Sequence, residues 1–292
     1  MSEKSPSHRV GPNGDDLLWR HLKSVPAFRA LLRSVEARFY RQTDLPRPIL
    51  DLGCGDGHFA ALTFNEQLTA GIDPWSGPLR KAHGANVYRL VVNGLGDELP
   101  FPDGYFGSII SNSVLEHIPD IQPVLNDMAR VLRPGGKVVV TMPSDRFSDW
   151  LGGALWLERL KLSGMAGRYR RLFNRIARHA HTDGPELWAH RFTDAGLEVE
   201  RWHYYFSKRS LHALEIGHFY GMPSLILHFF SGRWIIAPWR SNLYFTEKWL
   251  RPLYSEPAPA VGSMLFFEAH KPYASNATGK SHTIPSSSVD AS

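Results

Sequence analysis

Cysteine occurs once in this chain of 292 residues, as Cys54. A lone cysteine excludes an intramolecular disulfide and fits a reducing compartment. No uninterrupted apolar run reaches the roughly 20 residues that a membrane-crossing helix needs. The opening Met-Ser-Glu-Lys-Ser-Pro has no apolar core, so no signal peptide is expected and the location expected is cytoplasmic. For the same reason Asn276-Ala277-Thr278 is not read as a glycosylation site. Charged residues make up only 21% and the formal charge is +5, which does not establish nucleic-acid binding, and none is expected. No metal is expected. A hydrophobic content of 43% describes a globular chain, long enough for one domain with an insertion.

The most informative stretch is Ile49-Leu-Asp-Leu-Gly-Cys-Gly-Asp-Gly-His-Phe-Ala60. A short apolar strand is broken by Gly53, Gly55 and Gly57, and a helix-compatible run follows. Glycines permit a sharp turn and close approach of a ligand to the backbone. The succeeding helix directs free N–H groups at that ligand. Two common nucleotide fingerprints are missing. The position of the third dinucleotide-binding glycine holds His58, and no Gly-Lys-Ser/Thr follows for a P-loop. Asp51, just before the turn, would repel a pyrophosphate and suits a cationic ligand.

This pattern resembles the first motif of class I S-adenosylmethionine-dependent methyltransferases, type-11 subgroup. The resemblance implies S-adenosylmethionine as cofactor, with Gly53, Cys54 and Gly55 accommodating it and Asp51 near its amino group. It also implies an α/β, Rossmann-like three-layer sandwich with a seven-stranded, mostly parallel sheet and an antiparallel last strand. Asp73, 18 residues beyond Gly55 and followed by Pro74, stands where a βαβ unit places an acid for both ribose hydroxyls. An Asp that caps the next helix is the plainer alternative. The Leu99-Pro-Phe-Pro-Asp103 run also looks like the family, in which a preceding acid meets the adenine. Asp97 is the candidate, with Leu99 as an apolar wall. The family's usual acid position holds Leu95 here, so Glu98 or backbone groups are alternatives.

Further strands are expected at 87–92, 106–112, 137–143, 197–205 and 263–270. Ligands in open α/β sheets bind beyond the carboxyl ends of strands, so Ser111, Asn112 and Ser113 should face the cleft. Leu115-Glu-His-Ile118 recurs in the type-11 subgroup, and His117 is either a general base or a packing residue beside the cofactor. Arg133-Pro-Gly-Gly136 reads as a helix stop.

The organisation expected is a helical cap over 1–42, a core over 43–205 with a lid at 145–183, and an apolar insertion at 206–262. The last strand of the core at 263–272 and a disordered tail at 273–292 complete it. In the lid, Arg168, Arg171, Arg175 and Arg178 share a helix face. A solvated face and a membrane-surface contact through 158–181 and 211–240 are both open. The insertion is a lid over an apolar substrate, an interfacial segment, a dimer interface or ordinary core; the oligomeric state is not legible. The activity expected is methyl transfer to a small-molecule or lipid-like acceptor, in the cytoplasm or peripherally at the inner membrane face. A cofactor-binding protein without turnover and a nicotinamide-dependent oxidoreductase are the rivals. The absence of an Asp/Asn-Pro-Pro-aromatic tetrapeptide argues against amino-methylation of nucleic acid.

Overall fold

Short apolar runs between turn residues become the interior strands of one sheet. A computed structural model describes residues 16–273; the expected frayed start and most of the expected disordered tail lie outside them. Its strands are β1 (Ile49–Leu52), β2 (Leu68–Asp73), β3 (Tyr88–Asn93), β4 (Phe106–Asn112), β5 (Leu132–Pro143), β6 (Glu198–Tyr205) and β7 (Met264–His270). They form a single seven-stranded sheet in the order β3-β2-β1-β4-β5-β7-β6. Pairings among β1 to β5 are parallel, and β7 runs antiparallel between β5 and β6. Every residue of β1 and of β4 is buried, as expected of parallel strands covered on both faces. The edge strand β3 exposes Arg89, Leu90 and Asn93 and the edge strand β6 exposes Glu198 and Glu200, and the charges among them discourage further strand pairing.

Along the strands, side chains alternate between two apolar layers. Ile49, Ile110, Val139 and Phe266 lie in one layer with Ala30, Leu31, Val35 and Tyr40 of α2 (Ala27–Gln42). Leu50, Ile109, Val138, Val140 and Phe267 lie in the other with α5 (Gln122–Val131) and α9 (Pro185–Asp194). The helices α3 (His58–Thr63) and α4 (Ser76–Gly84) connect the first three strands. Arg133–Gly136 does not simply stop a helix. The helix ends at Val131, and these residues form an irregular start of β5, where Gly135 at φ +75° donates its N–H to the Lys271 carbonyl.

The lid region carries α6 (Arg146–Asp149), α7 (Gly152–Arg159) and α8 (Ser163–Ala177). Arg178 leaves the expected helix face, because it caps α8 in the left-handed conformation at φ +58°. The 206–262 stretch holds α10 (Lys208–Ser231) and α11 (Arg240–Tyr254), which pack on α1 (Leu17–Leu22) and α2. Gly217 and Gly221 fall on one face of α10 four residues apart. Cβ atoms there would meet Phe28 of α2 at 2.4 and 2.6 Å, so the two glycines form its seat. Glu215, buried on α10, accepts the N–H groups of Gly152 and Gly153 at 2.6 and 2.9 Å. That carboxylate therefore caps the start of α7 and ties the lid to the cover. Among the described residues no helix is long and apolar enough to cross a membrane.

Candidate active site

The strand order reverses direction between β1 and β4, and the crevice beyond the carboxyl ends of those strands is where an open α/β sheet binds its ligand. The glycine turn lies there. Gly53, Gly55 and Gly57 all adopt left-handed φ values, +77°, +55° and +72°. Gly53 and Cys54 both donate N–H to the Ile72 carbonyl, which clamps the turn onto the end of β2. A Cβ on Gly55 would meet no atom within 4 Å, so this glycine leaves open space beside the cavity it lines.

The crevice has two lobes that share Gly53 and Val114. The larger, about 430 Å³, is lined by Ile72, Asp73, Pro74, Trp75, Leu95, Asp97, Val124 and His117. The smaller, about 160 Å³, is lined by Arg29, Arg33, Asp51, Cys54, Gly55, Asn112, Ser113 and Trp234. Their chemistry differs. The first is largely apolar with a carboxylate at the end of β2, which suits a nucleoside. The second collects guanidinium and carboxylate groups, which suits the zwitterionic end of an amino acid.

Asp73 is 8% exposed, and its two oxygens accept the N–H groups of Gly55 at 3.0 Å and Trp75 at 2.9 Å. Each carboxylate oxygen keeps a further lone pair. The Trp75 bond resembles the capping anticipated as the plainer alternative, while the cavity meets the same carboxylate. Asp51 is buried and accepts from the Tyr88 hydroxyl at 2.6 Å. Burial raises its pKa to about 7 against the lowering effect of that bond, and Asp73 adds to the rise. A cationic group in the smaller lobe would draw it back toward ionisation. Burial also pushes the Cys54 thiol well up; its sulfur packs where Gly71 leaves room.

Asn112 donates to Thr141 Oγ1 at 2.7 Å, while its side-chain oxygen accepts from Arg33. Arg33 also bonds Glu36, whose carboxylate takes Ser113 Oγ and the Tyr205 hydroxyl at 3.0 and 2.9 Å. This network fixes the wall of the smaller lobe. His117 lines the larger lobe, and its Nδ1 lies 3.0 Å from the Arg178 carbonyl. Only a protonated Nδ1 can donate to that carbonyl, so Nε2 carries the lone pair. Burial lowers the pKa of this ring, which favours its neutral form.

Asp51, Gly53, Cys54, Gly55 and Asn112 thus meet in or beside the smaller lobe, and Asp73, Pro74, Asp97 and His117 in the larger. Three candidates lie elsewhere. Ser111 is fully buried and donates to the Leu52 carbonyl at 3.0 Å. Leu99 sits in the apolar layer, with its N–H on Asp127. Glu98 is exposed and lines neither lobe. Sequence reasoning missed Arg29, Arg33, Trp75 and Trp234. For the first two a signal existed: arginines four apart on one helix point the same way.

Comparison with known proteins bears on the family and the fold. Residues 50–140 match a family described as "Methyltransferase domain". An uncharacterized methyltransferase of Mycobacterium sp. (strain KMS) is 36% identical over 107 residues, 36% of this chain and 40% of that protein. One of Mycobacterium tuberculosis (strain ATCC 25177 / H37Ra) is 29% identical over 160 residues, covering 53% of this chain and 60% of its own. The chain therefore spans about half the length of these relatives. A SAM-dependent methyltransferase structure from Thermotoga maritima aligns with a TM-score of 0.51 at 18% identity, covering 84% of this chain and 91% of that one. At that identity it speaks to the fold alone, which is the Rossmann-like, seven-stranded one.

Proposed function

From a chain whose residues 50–140 belong to a methyltransferase-domain family, we propose that the protein transfers the methyl group of S-adenosylmethionine to an apolar, lipid-like acceptor at a membrane surface. The observation that carries the cofactor half is the two-lobed crevice hinged on Gly53, apolar and acid-tipped on one side, zwitterion-compatible on the other. In this reading Asp73 accepts the ribose hydroxyls, Trp75 and Leu95 wall the adenine, and Asp97 accepts its exocyclic amine. Asp51 faces the amino group, and Arg29 and Arg33 face the carboxylate. The cofactor supplies an electrophilic methyl on a sulfonium that loses its charge as the methyl leaves. The protein's task is alignment and exclusion of water, so the buried walls matter more than any acid or base. Where the acceptor carries a proton, neutral His117 is the residue placed to take it.

The acceptor half rests on the cover. Phe229, Phe230 and Phe245 are 82, 81 and 80% exposed, and Trp239 is 66% exposed. Rings this open, with Arg233, Arg240 and Lys248 near them in sequence, match an interfacial surface. Trp234 connects this region to the chemistry, since it lines the smaller lobe and stacks on His228 at 4.0 Å. On α8, Met165, Leu172 and Ile176 are exposed together with Arg168, Arg171 and Arg175, which is unlike a purely solvated charged face.

Labelled cofactor, incubated with the chain and vesicles of total lipid extract, should deliver label to the organic phase. Replacing Phe229, Phe230 and Phe245 together with Asp should lower vesicle binding and lipid labelling more than about tenfold, given about 1.5–3 kcal/mol for each buried ring. Cofactor affinity should stay unchanged. Label confined to the aqueous phase would refute the lipid acceptor, and no label in any acceptor would favour a binding protein without turnover.

A further inference from the structure

Glu116, His117 and His179 form a cluster outside the proposed cofactor grip; a cation there would occupy the His117 Nε2 lone pair, so that ring takes an acceptor's proton only in the metal-free chain. One oxygen or ring nitrogen from each lies within 4.8 Å of the others. Three features make it look built. First, the Arg178 carbonyl holds the His117 Nδ1–H, and the free Nε2 stands 4.0 Å from Glu116 Oε1. Imidazoles that ligate metals are oriented in this way, with the second ring nitrogen on a backbone carbonyl. Second, Glu116 is 2% exposed and its Oε2 has no hydrogen-bond partner, and the buried Nδ1 of His179 has none either. A buried acceptor left unpaired costs about 1–3 kcal/mol, and more when charged. The Arg33 guanidinium gives it no hydrogen bond, since it bonds Glu36 and Asn112, and reaches Glu116 only through its charge. Third, the Glu116 carbonyl accepts the N–H groups of Ala180 and His181 at 2.8 and 3.0 Å. That clamp joins the segment after α8 to the 3-10 turn Leu115–His117, so ligands some sixty positions apart in sequence are held together without using a ligating atom.

We propose that Glu116, His117 and His179 bind a first-row divalent cation of the zinc class, beside the larger lobe that His117 lines. Two imidazoles and a carboxylate are a zinc donor set that leaves a coordination position for another group. Donor atoms around tetrahedral zinc, at about 2.1 Å from the metal, stand about 3.4 Å apart, so side-chain rotations of about an ångström close the set. Sodium, potassium and magnesium are disfavoured by the imidazoles. The site stands on its own residues and does not depend on the identity of the cofactor.

The test uses the tag-free full chain, stripped with chelator and titrated with Co²⁺, followed by Zn²⁺ competition. One equivalent of Co²⁺ should give the visible bands of a low-coordinate site, and Zn²⁺ should abolish them. His179→Ala should weaken Zn²⁺ binding by about 100-fold or more, at least the loss seen when a supporting partner alone is removed. Asp73→Ala, which disturbs the proposed ribose contact, should leave Zn²⁺ affinity unchanged. If His179→Ala loses the native circular dichroism spectrum, Glu116→Gln, nearly isosteric, carries the same expectation. Absence of stoichiometric Co²⁺ binding by the parent chain, or a folded variant that binds as tightly, overturns the site.

Discussion

Asp73→Ala should weaken S-adenosylmethionine binding more than tenfold by calorimetry, with little change in secondary structure. The carboxylate is buried at the tip of β2 and already accepts two backbone N–H groups, those of Gly55 and Trp75. It thereby holds the glycine turn and the start of α4 at fixed positions around the larger lobe. Its remaining lone pairs face a space of nucleoside size. A hydrogen bond to a charged group contributes about 1.5–3 kcal/mol, so losing two such contacts exceeds a factor of ten comfortably. Asp73→Asn should fall between the two, since the amide keeps one acceptor oxygen and turns the other position into a donor. Unchanged affinity in Asp73→Ala would defeat the ribose assignment.

Gly53→Ala should be more severe, because it affects both the fold and the cleft. Gly53 has φ +77°, and a Cβ there would stand 2.4 and 2.5 Å from the two methyl groups of Val114. Neither neighbour can retreat easily. Gly53 is hydrogen-bonded to Ile72, while Val114 immediately precedes the 3-10 turn. Overpacking of this kind costs about 1–3 kcal/mol, and a strained backbone adds to it. Since both lobes share these two residues, any shift that relieves the clash also separates the lobes. The expected result is a lower midpoint in denaturant together with loss of measurable cofactor binding. Gly55→Ala supplies the contrast. Its Cβ meets no protein atom, so only the left-handed φ of +55° strains the fold, by about 1–2 kcal/mol, and binding should suffer more than stability. Normal stability and binding in Gly53→Ala would show that the junction is not where a ligand passes.

The sheet was legible because buried parallel strands are written as short continuous apolar runs between turn residues, as Ile49–Leu52 and Phe106–Asn112 are. The glycine turn was legible for the same local reason: few residues other than glycine tolerate three left-handed positions in five. What lay across the chain was not legible. Ser111, Asn112 and Ser113 are adjacent in sequence, yet a strand alternates its faces, and Ser111 turns inward to Leu52 while Asn112 meets the smaller lobe. Leu99 follows a family pattern, but its buried place in the apolar layer takes it from the cavity wall. Arg29 and Arg33 reach the cleft from a helix preceding the sheet, and Trp234 reaches it from a segment after β6. Glu116 and His179 meet only because the segment following α8 folds back on the turn after β4. Such encounters depend on tertiary packing; the four-residue spacing of Arg29 and Arg33 says that they share a helix face, not what that face meets.

A crystal structure of the chain with S-adenosylhomocysteine addresses the central claim most directly. The account predicts the ribose hydroxyls on Asp73, the adenine against Trp75, and the amino-acid end threaded past Gly53 toward Asp51 and Arg33. Density for the ligand outside this crevice, or an Asp73 carboxylate turned away from the ribose, would contradict it.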